Sequence, residues 1–173
     1  MKRLFSVTLA IALAVPSGVL ANDYMTGTHS TSNVVVDDAF NWVVIRSATV
    51  TILPFFDTGS HGCVVNASAD VNWGGGGPAG AENRYRFVVV RNNTNPVTGT
   101  GTERILSMVD QADVNDPNYY PVSTTGVFTG LTNDNGAGGG GAHTFYLLGR
   151  KVAAADPNVN TQASLSVICS HTP

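Results

Sequence analysis

The sequence predicts an all-β fold in which two antiparallel sheets pack face to face, in a jelly-roll or related Greek-key order. Three observations support this prediction. Apolar residues recur with a period of two in several segments, turn-forming residues separate those segments, and almost nowhere do apolar residues recur at helical spacing. Charged residues make up only 12% of the chain, which suits short strands and turns better than helices or a disordered chain. We therefore expect about eight to ten strands and no convincing helix.

The first 21 residues have the pattern of a cleaved export signal. Lys2 and Arg3 form its positive end, an apolar run spans residues 4–15, and small residues precede a predicted cleavage site after Ala21. The apolar run is shorter than the roughly 20 residues that a membrane-spanning helix needs. The sequence therefore predicts a secreted or periplasmic protein without a membrane span.

The mature chain is predicted to contain a polar, flexible arm over residues 22–33 and a single β-sandwich domain over residues 34–173. Of the nine Lys and Arg residues, Lys2 and Arg3 belong to the signal, which leaves seven basic against 12 acidic residues. Binding to nucleic acid phosphates requires clustered Lys and Arg. Nucleic acid is therefore not an expected partner.

Residues that favour turns or end strands, mainly proline and glycine, separate the predicted strands. Residues 48–52 alternate between apolar and polar, and Pro54 ends this strand because proline cannot donate to a ladder. The clearest alternation runs over Cys63–Trp73, which predicts a half-buried antiparallel strand. The glycine-rich segments 74–80 and 133–141 are interpreted as long loops. The predicted strands are Val34–Val36, Trp42–Leu53, Cys63–Trp73, Tyr85–Arg91, Glu103–Val109, Val122–Leu131, His143–Arg150 and Ala163–Cys169.

Cys63 and Cys169, the two cysteines of the chain, lie in phase with the inward-facing apolar residues of their strands. In an exported protein, two such cysteines most often form a disulfide. His61 and His171 each lie two residues from a cysteine, and residues two apart on a strand point the same way. If the two strands are neighbours, these four side chains could instead form a structural zinc site. The sequence favours the disulfide and leaves the zinc site and two unpaired cysteines as alternatives.

The turn Asp57-Thr58-Gly59, in the segment from Phe55 to Ser60, resembles the active-site loop of the pepsin and retropepsin families. Leu147-Leu148-Gly149-Arg150 is similar to the segment that braces this loop in those families. The resemblance implies that Asp57 is a catalytic carboxylate. Because the mechanism needs two aspartates that share a proton, it implies a homodimeric aspartic peptidase. The same four residues, Asp57 to Ser60, also suit a structural turn between two strands, which is the interpretation we favour.

Two further groups of residues are candidate sites. The oxygen-rich segment 110–118 could hold calcium. Aromatic pairs in predicted loops could stack on a sugar or anchor a protein partner. The candidate calcium ligands are Asp110, Asp113, Asn115, Asp116 and Asn118, and the candidate binding aromatics are Phe55, Phe56, Tyr119 and Tyr120.

These observations together predict a secreted, non-catalytic β-sandwich that serves as an extracellular binding or structural module. No phosphate-binding loop, haem attachment motif or His-Glu-x-x-His pair occurs in the sequence, so no cofactor is expected. A protein or a glycan at the cell surface is the expected kind of partner. The alternatives are the homodimeric aspartic peptidase and a fimbrial or surface-assembly subunit, which would share the signal peptide, the size and the single disulfide.

Overall fold

A computed structural model describes residues 24–30, 32–52, 59–73, 80–97, 102–109, 118–133 and 141–171, without the side chains of Trp73 and Asn118. Within these ranges the chain forms nine strands and no helix, as the sequence predicts. The strands are β1 (Tyr24–His29), β2 (Val34–Val36), β3 (Val43–Thr51), β4 (His61–Trp73), β5 (Glu82–Arg91), β6 (Arg104–Val109), β7 (Asn118–Leu131), β8 (Ala142–Lys151) and β9 (Val159–His171).

The strands form two antiparallel sheets. Sheet A has the order β1-β9-β4-β7, with β2 also paired to β9, and sheet B has the order β3-β8-β5-β6. Because β1 and β2 lie end to end along β9, they act as one interrupted edge strand. If β1 and β2 together count as strand 1 and β3 to β9 count as strands 2 to 8, the order is 1-8-3-6 in sheet A and 2-7-4-5 in sheet B. This arrangement is the predicted jelly roll.

The core lies between the two sheets and follows the predicted alternation. Every second residue of β4 from Cys63 to Val71 is buried, and so are Ala48, Val50 and Ile52. Phe128 of sheet A and Phe145 of sheet B meet across the core with ring centroids 5.2 Å apart. In these strands the inward phase is therefore the phase that the sequence predicts.

The N-terminal segment differs from the prediction of a flexible arm over residues 22–33. Tyr24–His29 forms β1 and pairs with β9 from Cys169 to Ser164. The Thr28 hydroxyl also donates to the Ser47 carbonyl at 3.1 Å. A polar segment can be an ordered edge strand because backbone hydrogen bonds to β9 hold it there, together with the Tyr24 ring, which packs against the core.

The outer face of sheet B has its own small hydrophobic cluster. Trp42 covers Val88, Val90 and Leu148, which are all buried, and Tyr146 packs against them. The Trp42 indole donates to the Pro96 carbonyl at 3.0 Å. The segment after β5 therefore helps to hold Trp42 over this face.

Gly141, just before β8, is a position where both backbone conformation and space require glycine. Its φ is +79°, and a Cβ there would lie 2.5 Å from the Ile52 carbonyl oxygen and 2.8 Å from that of Asn133. We expect Gly141→Ala to lower the free energy of unfolding by about 3 kcal/mol, of which the left-handed conformation accounts for roughly 1–2 kcal/mol. Chemical denaturation measures this loss.

Gly80 provides the matched control, because its φ is +84° but a Cβ there meets nothing within 4 Å. Gly80→Ala should show only the conformational cost of roughly 1–2 kcal/mol. Equal losses in the two variants would contradict the proposed crowding at Gly141.

Candidate functional site

The predicted disulfide is present between the two central strands of sheet A, near one end of the sheet. Cys63 of β4 and Cys169 of β9 are directly opposite each other, and their sulfurs are bonded at 2.03 Å. Both residues are fully buried. The bond therefore joins the two central strands of the sheet in a fixed register.

The two histidines near the cysteines also meet, as the alternative zinc site requires. His61 is fully buried, and its ring packs edge-on against His171 at 5.3 Å and against Tyr24 at 5.4 Å. The sulfurs are bonded to each other and are not thiolates. The four side chains therefore form a disulfide beside a cluster of aromatic rings, and the alternative of a four-ligand zinc site is wrong. Among the described residues, no group of three or more His, Cys, Asp or Glu could hold a metal ion.

The protease-like segment is described only in part. Phe55, Phe56, Asp57 and Thr58 lie outside the described residues, so the structural turn stays a prediction and the peptidase role of Asp57 stays its alternative. The downstream segment Leu147-Leu148-Gly149-Arg150 lies within β8, in the interior of sheet B. Leu147 belongs to the core between the sheets, whereas Leu148 belongs to the cluster under Trp42.

The side chains of the calcium candidates likewise lie outside the part of the chain that the structure describes. Asp110, Asp113, Asn115 and Asp116 lie outside the described residues, and Asn118 is described only by its backbone, as the first residue of β7.

The predicted aromatic pair Tyr119–Tyr120 lies in β7 and not in a loop. Successive residues of a strand point to opposite faces, so the two rings do not form one platform. Tyr119 is 64% exposed on the outer face of sheet A, whereas Tyr120 packs against the core. Of this pair, only Tyr119 is placed to meet a partner on that face.

The outer face of sheet A carries an exposed row of apolar side chains. The register places Met25 opposite Ile168, Ile168 opposite Val64, and Val64 opposite Val127. These four residues, called the apolar row below, lie side by side across all four long strands of the sheet. Their exposed fractions are 79% for Met25, 49% for Ile168, 42% for Val64 and 70% for Val127. The apolar clusters of the core and of sheet B are buried, whereas this row faces solvent.

Two rows of mostly small, polar residues, called the polar rows below, run beside the apolar row. They follow from the same register and consist of Gly27, Ser166, Asn66 and Thr125, then His29, Ser164, Ser68 and Ser123. Ser68 and Ser164 hydroxyls lie 2.8 Å apart, and the Thr125 hydroxyl donates to Asn66 Oδ1 at 2.9 Å. A shallow depression of about 220 Å³ lies over these residues. The hydroxyl and amide groups of the polar rows thus present neutral donors and acceptors to solvent.

Charge is distributed unequally between the two sheets. In the strands of sheet A as the structure describes them, Asp70 is the single Asp, Glu, Lys or Arg residue. The seven basic residues beyond position 21 all lie in the strands of sheet B, and they are Arg46, Arg84, Arg86, Arg91, Arg104, Arg150 and Lys151. The outer face of sheet A therefore lacks the mixed charges that are typical of a solvent-facing surface.

Several charged groups outside sheet A have structural partners. Arg86 is paired with Glu103, and the Arg150 guanidinium stacks over Trp42 at 4.9 Å. Hydrogen bonds from the Asn41 side chain and from the Asn41 and Phe40 backbone lower the pKa of Asp38, which lines a cleft of about 240 Å³ with Lys151. A carboxylate held ionised in this way suits a turn better than general acid catalysis.

Burial raises the pKa of the Tyr85 hydroxyl, which donates to the Pro157 carbonyl at 2.7 Å. Burial and this hydrogen bond give Tyr85 a structural role, and they do not indicate that its hydroxyl takes part in a reaction.

A second cleft opens beside β7 and has a volume of about 640 Å³. It is lined by the last three residues of β5, by the segment that follows, including Pro96 and Val97, by Thr102, and by Val127 and Phe128 of β7. Val127 is shared with the apolar row, so this cleft continues the exposed apolar surface around the edge of sheet A.

Among the described residues, there is no helix with the length and apolarity that crossing a bilayer requires. No protein-family model matches the chain, and no curated protein matches it. Among solved structures, the chain is similar to one described as "Native virion of Kashmir bee virus at acidic pH", with a TM-score of 0.27 and 9% sequence identity over 100% of this chain and 86% of that chain. A similarity at this level supports no inference about function, which has to come from the surface of the molecule itself.

Proposed function

We propose that the protein is an exported, non-catalytic β-sandwich that acts as an extracellular binding or structural module through the outer face of sheet A. The observation that carries this proposal is the apolar row, which is exposed on a face whose strands contain a single charged residue. Interface cores are depleted of charged residues. Contiguous exposed apolar patches likewise mark sites of interaction.

The disulfide supports this role by holding the face rigid. Cys63 and Cys169 directly precede and follow two residues of the apolar row, Val64 and Ile168. The bond thus fixes the register of the two strands that form the centre of the row. A surface that is already ordered loses little conformational entropy when it binds.

Export is supported by the N-terminal signal pattern and by the disulfide, because such bonds persist in oxidising compartments. Mass spectrometry of the protein recovered from outside the cytoplasm should give a chain that begins at Asn22. Recovery of the full-length chain from the cytoplasm would contradict this part of the proposal.

Binding to the surface of source cells tests the role of the face. Labelled mature protein should bind to washed cells, and a Val64→Asp/Ile168→Asp variant should bind at least tenfold more weakly, because two buried carboxylates oppose interface formation. The control is Thr51→Asp, which changes an exposed residue of β3 in sheet B. Circular dichroism should show that all three proteins are folded.

Equal binding by the face variant and the wild type would overturn the proposal. Cleavage of peptides at acidic pH that is lost in Asp57→Asn would also overturn it, in favour of the peptidase.

A further inference from the structure

We infer that the partner of the outer face of sheet A is a second copy of this chain, which packs sheet A against sheet A about a two-fold axis parallel to the strands. The inference rests on the proposed function, since it names the partner of the same face. Binding of labelled protein to source cells then reports exchange with copies of this chain that the cells display. It follows from the pattern of residues on the face, which is complementary to itself.

The apolar row is complementary to itself under this symmetry. An axis that runs between β9 and β4 places β4 over the partner's β9 and β1 over the partner's β7, given the strand order of sheet A. Because the axis is parallel to the strands, each residue faces a partner residue at the same height along the strands. Val64 packs on the partner's Ile168, and Met25 packs on the partner's Val127, so the two apolar rows cover each other.

The polar rows also match. Ser68 meets the partner's Ser164, and Asn66 meets the partner's Ser166, since these residues pair in register within the sheet. Hydroxyl and amide groups both donate and accept hydrogen bonds. A surface built from them can therefore bind its own copy without leaving unpaired donors.

The single carboxylate of these strands has a suitable position. Asp70 lies opposite Gln162 within the sheet, so the two-fold axis places it over the partner's Gln162, whose amide can donate to it. No two like charges meet. A face that carried several charges of one sign could not bind its own copy in this way, because like charges that meet in an interface cost several kcal/mol.

The extent of the face is sufficient for a dimer. Four strands about 4.8 Å apart with a rise of about 3.4 Å per residue give a flat footprint of roughly 590 Å² for the levels from Val64 to Asn72, which lies opposite Tyr119. A standard interface buries about 800 Å² of accessible surface per partner, and side chains raise the accessible area above the flat footprint.

Other partners fit the face less well. Tyr119 is the large aromatic residue exposed on this face among those described, so there is no row of rings for a glycan to stack on. The strands of the face contain no Lys or Arg that would bind an anionic polymer or an anionic membrane.

Charge substitutions across the two-fold contact test the inference. We expect sedimentation equilibrium of the mature protein to show a dimer in the micromolar range. Val64→Lys alone and Ile168→Asp alone should each raise the dimer dissociation constant at least tenfold. An equimolar mixture of the two variants should restore dimers, because the axis places Lys at position 64 of one chain against Asp at position 168 of the other and leaves the second contact apolar.

The matched control is Thr51→Lys on β3, which should dimerise like the wild type. A wild-type protein that is monomeric throughout this range would overturn the inference. A dimer that neither face variant weakens, or two monomeric variants that do not recombine, would overturn the proposed symmetry. If the protein is monomeric but the face variants still lose binding to cells, only the identity of the partner is wrong and the proposed function stands.

Discussion

Replacing both Cys63 and Cys169 with alanine is expected to lower the free energy of unfolding by about 4–5 kcal/mol. The bond joins residues separated by 106 positions, so its removal returns a large amount of conformational entropy to the unfolded chain. A loss of this size is a large share of the 5–15 kcal/mol that stabilises a typical domain. Urea denaturation of the mature protein measures it.

The reduced wild-type protein separates the crosslink from the packing of the sulfur atoms. It keeps both buried sulfurs and loses only the bond, so most of the destabilisation should appear on reduction alone. The cell-binding assay should respond as well, because reduction frees the two central strands under the apolar row. A change below about 1 kcal/mol in both the variant and the reduced protein would contradict the stabilising role of the bond.

Phe145→Ala should lower the free energy of unfolding by about 3–5 kcal/mol. Phe145 is fully buried in sheet B, and its ring meets Phe128 of sheet A. Its truncation removes a contact that holds the two sheets together and leaves a cavity between them. The same denaturation experiment gives the value, and an unchanged m-value shows that the unfolded state is the same.

Thr144 next to it is a suitable control, because it faces the opposite side of sheet B and forms a 2.9 Å hydroxyl contact with Thr49. Thr144→Ala should cost about 1 kcal/mol or less. If Phe145→Ala costs no more than this control, the neighbouring side chains must collapse into the space that the ring leaves.

The fold could be predicted because its main signal is local. The alternation from Cys63 to Trp73 reports burial on one face of a strand, whatever the strand pairs with. The two cysteines can be paired from the sequence because they share the inward phase and because the chain contains no other cysteine. Strand β1 cannot be predicted in this way because Met25, Thr26, Gly27 and Thr28 give no strong alternation, and its order comes from pairing with β9.

The candidate site could not be predicted in the same way, because it depends on the register between distant strands. Met25, Val64, Val127 and Ile168 are far apart in the sequence, and pairing brings them into one row. A signal was nevertheless present. Val64 and Ile168 are apolar residues in the polar phase of their strands, and an apolar residue in that phase is expected where both faces of a strand are covered.

The interruption between β1 and β2 has a consequence for how large an assembly of this protein can grow. His29 ends β1 opposite Ser164 and Val34 begins β2 opposite Thr161, so the two segments pair with β9 in different registers and one edge of sheet A is irregular. At the other edge, Pro121 lies within β7, and the Arg91 guanidinium donates to the Thr129 carbonyl at 3.1 Å. Irregular and proline-containing edges resist the addition of further strands. A two-fold contact buries the same surface on both copies and leaves none of it exposed for a third copy. The protein is therefore expected to form closed pairs rather than fibres.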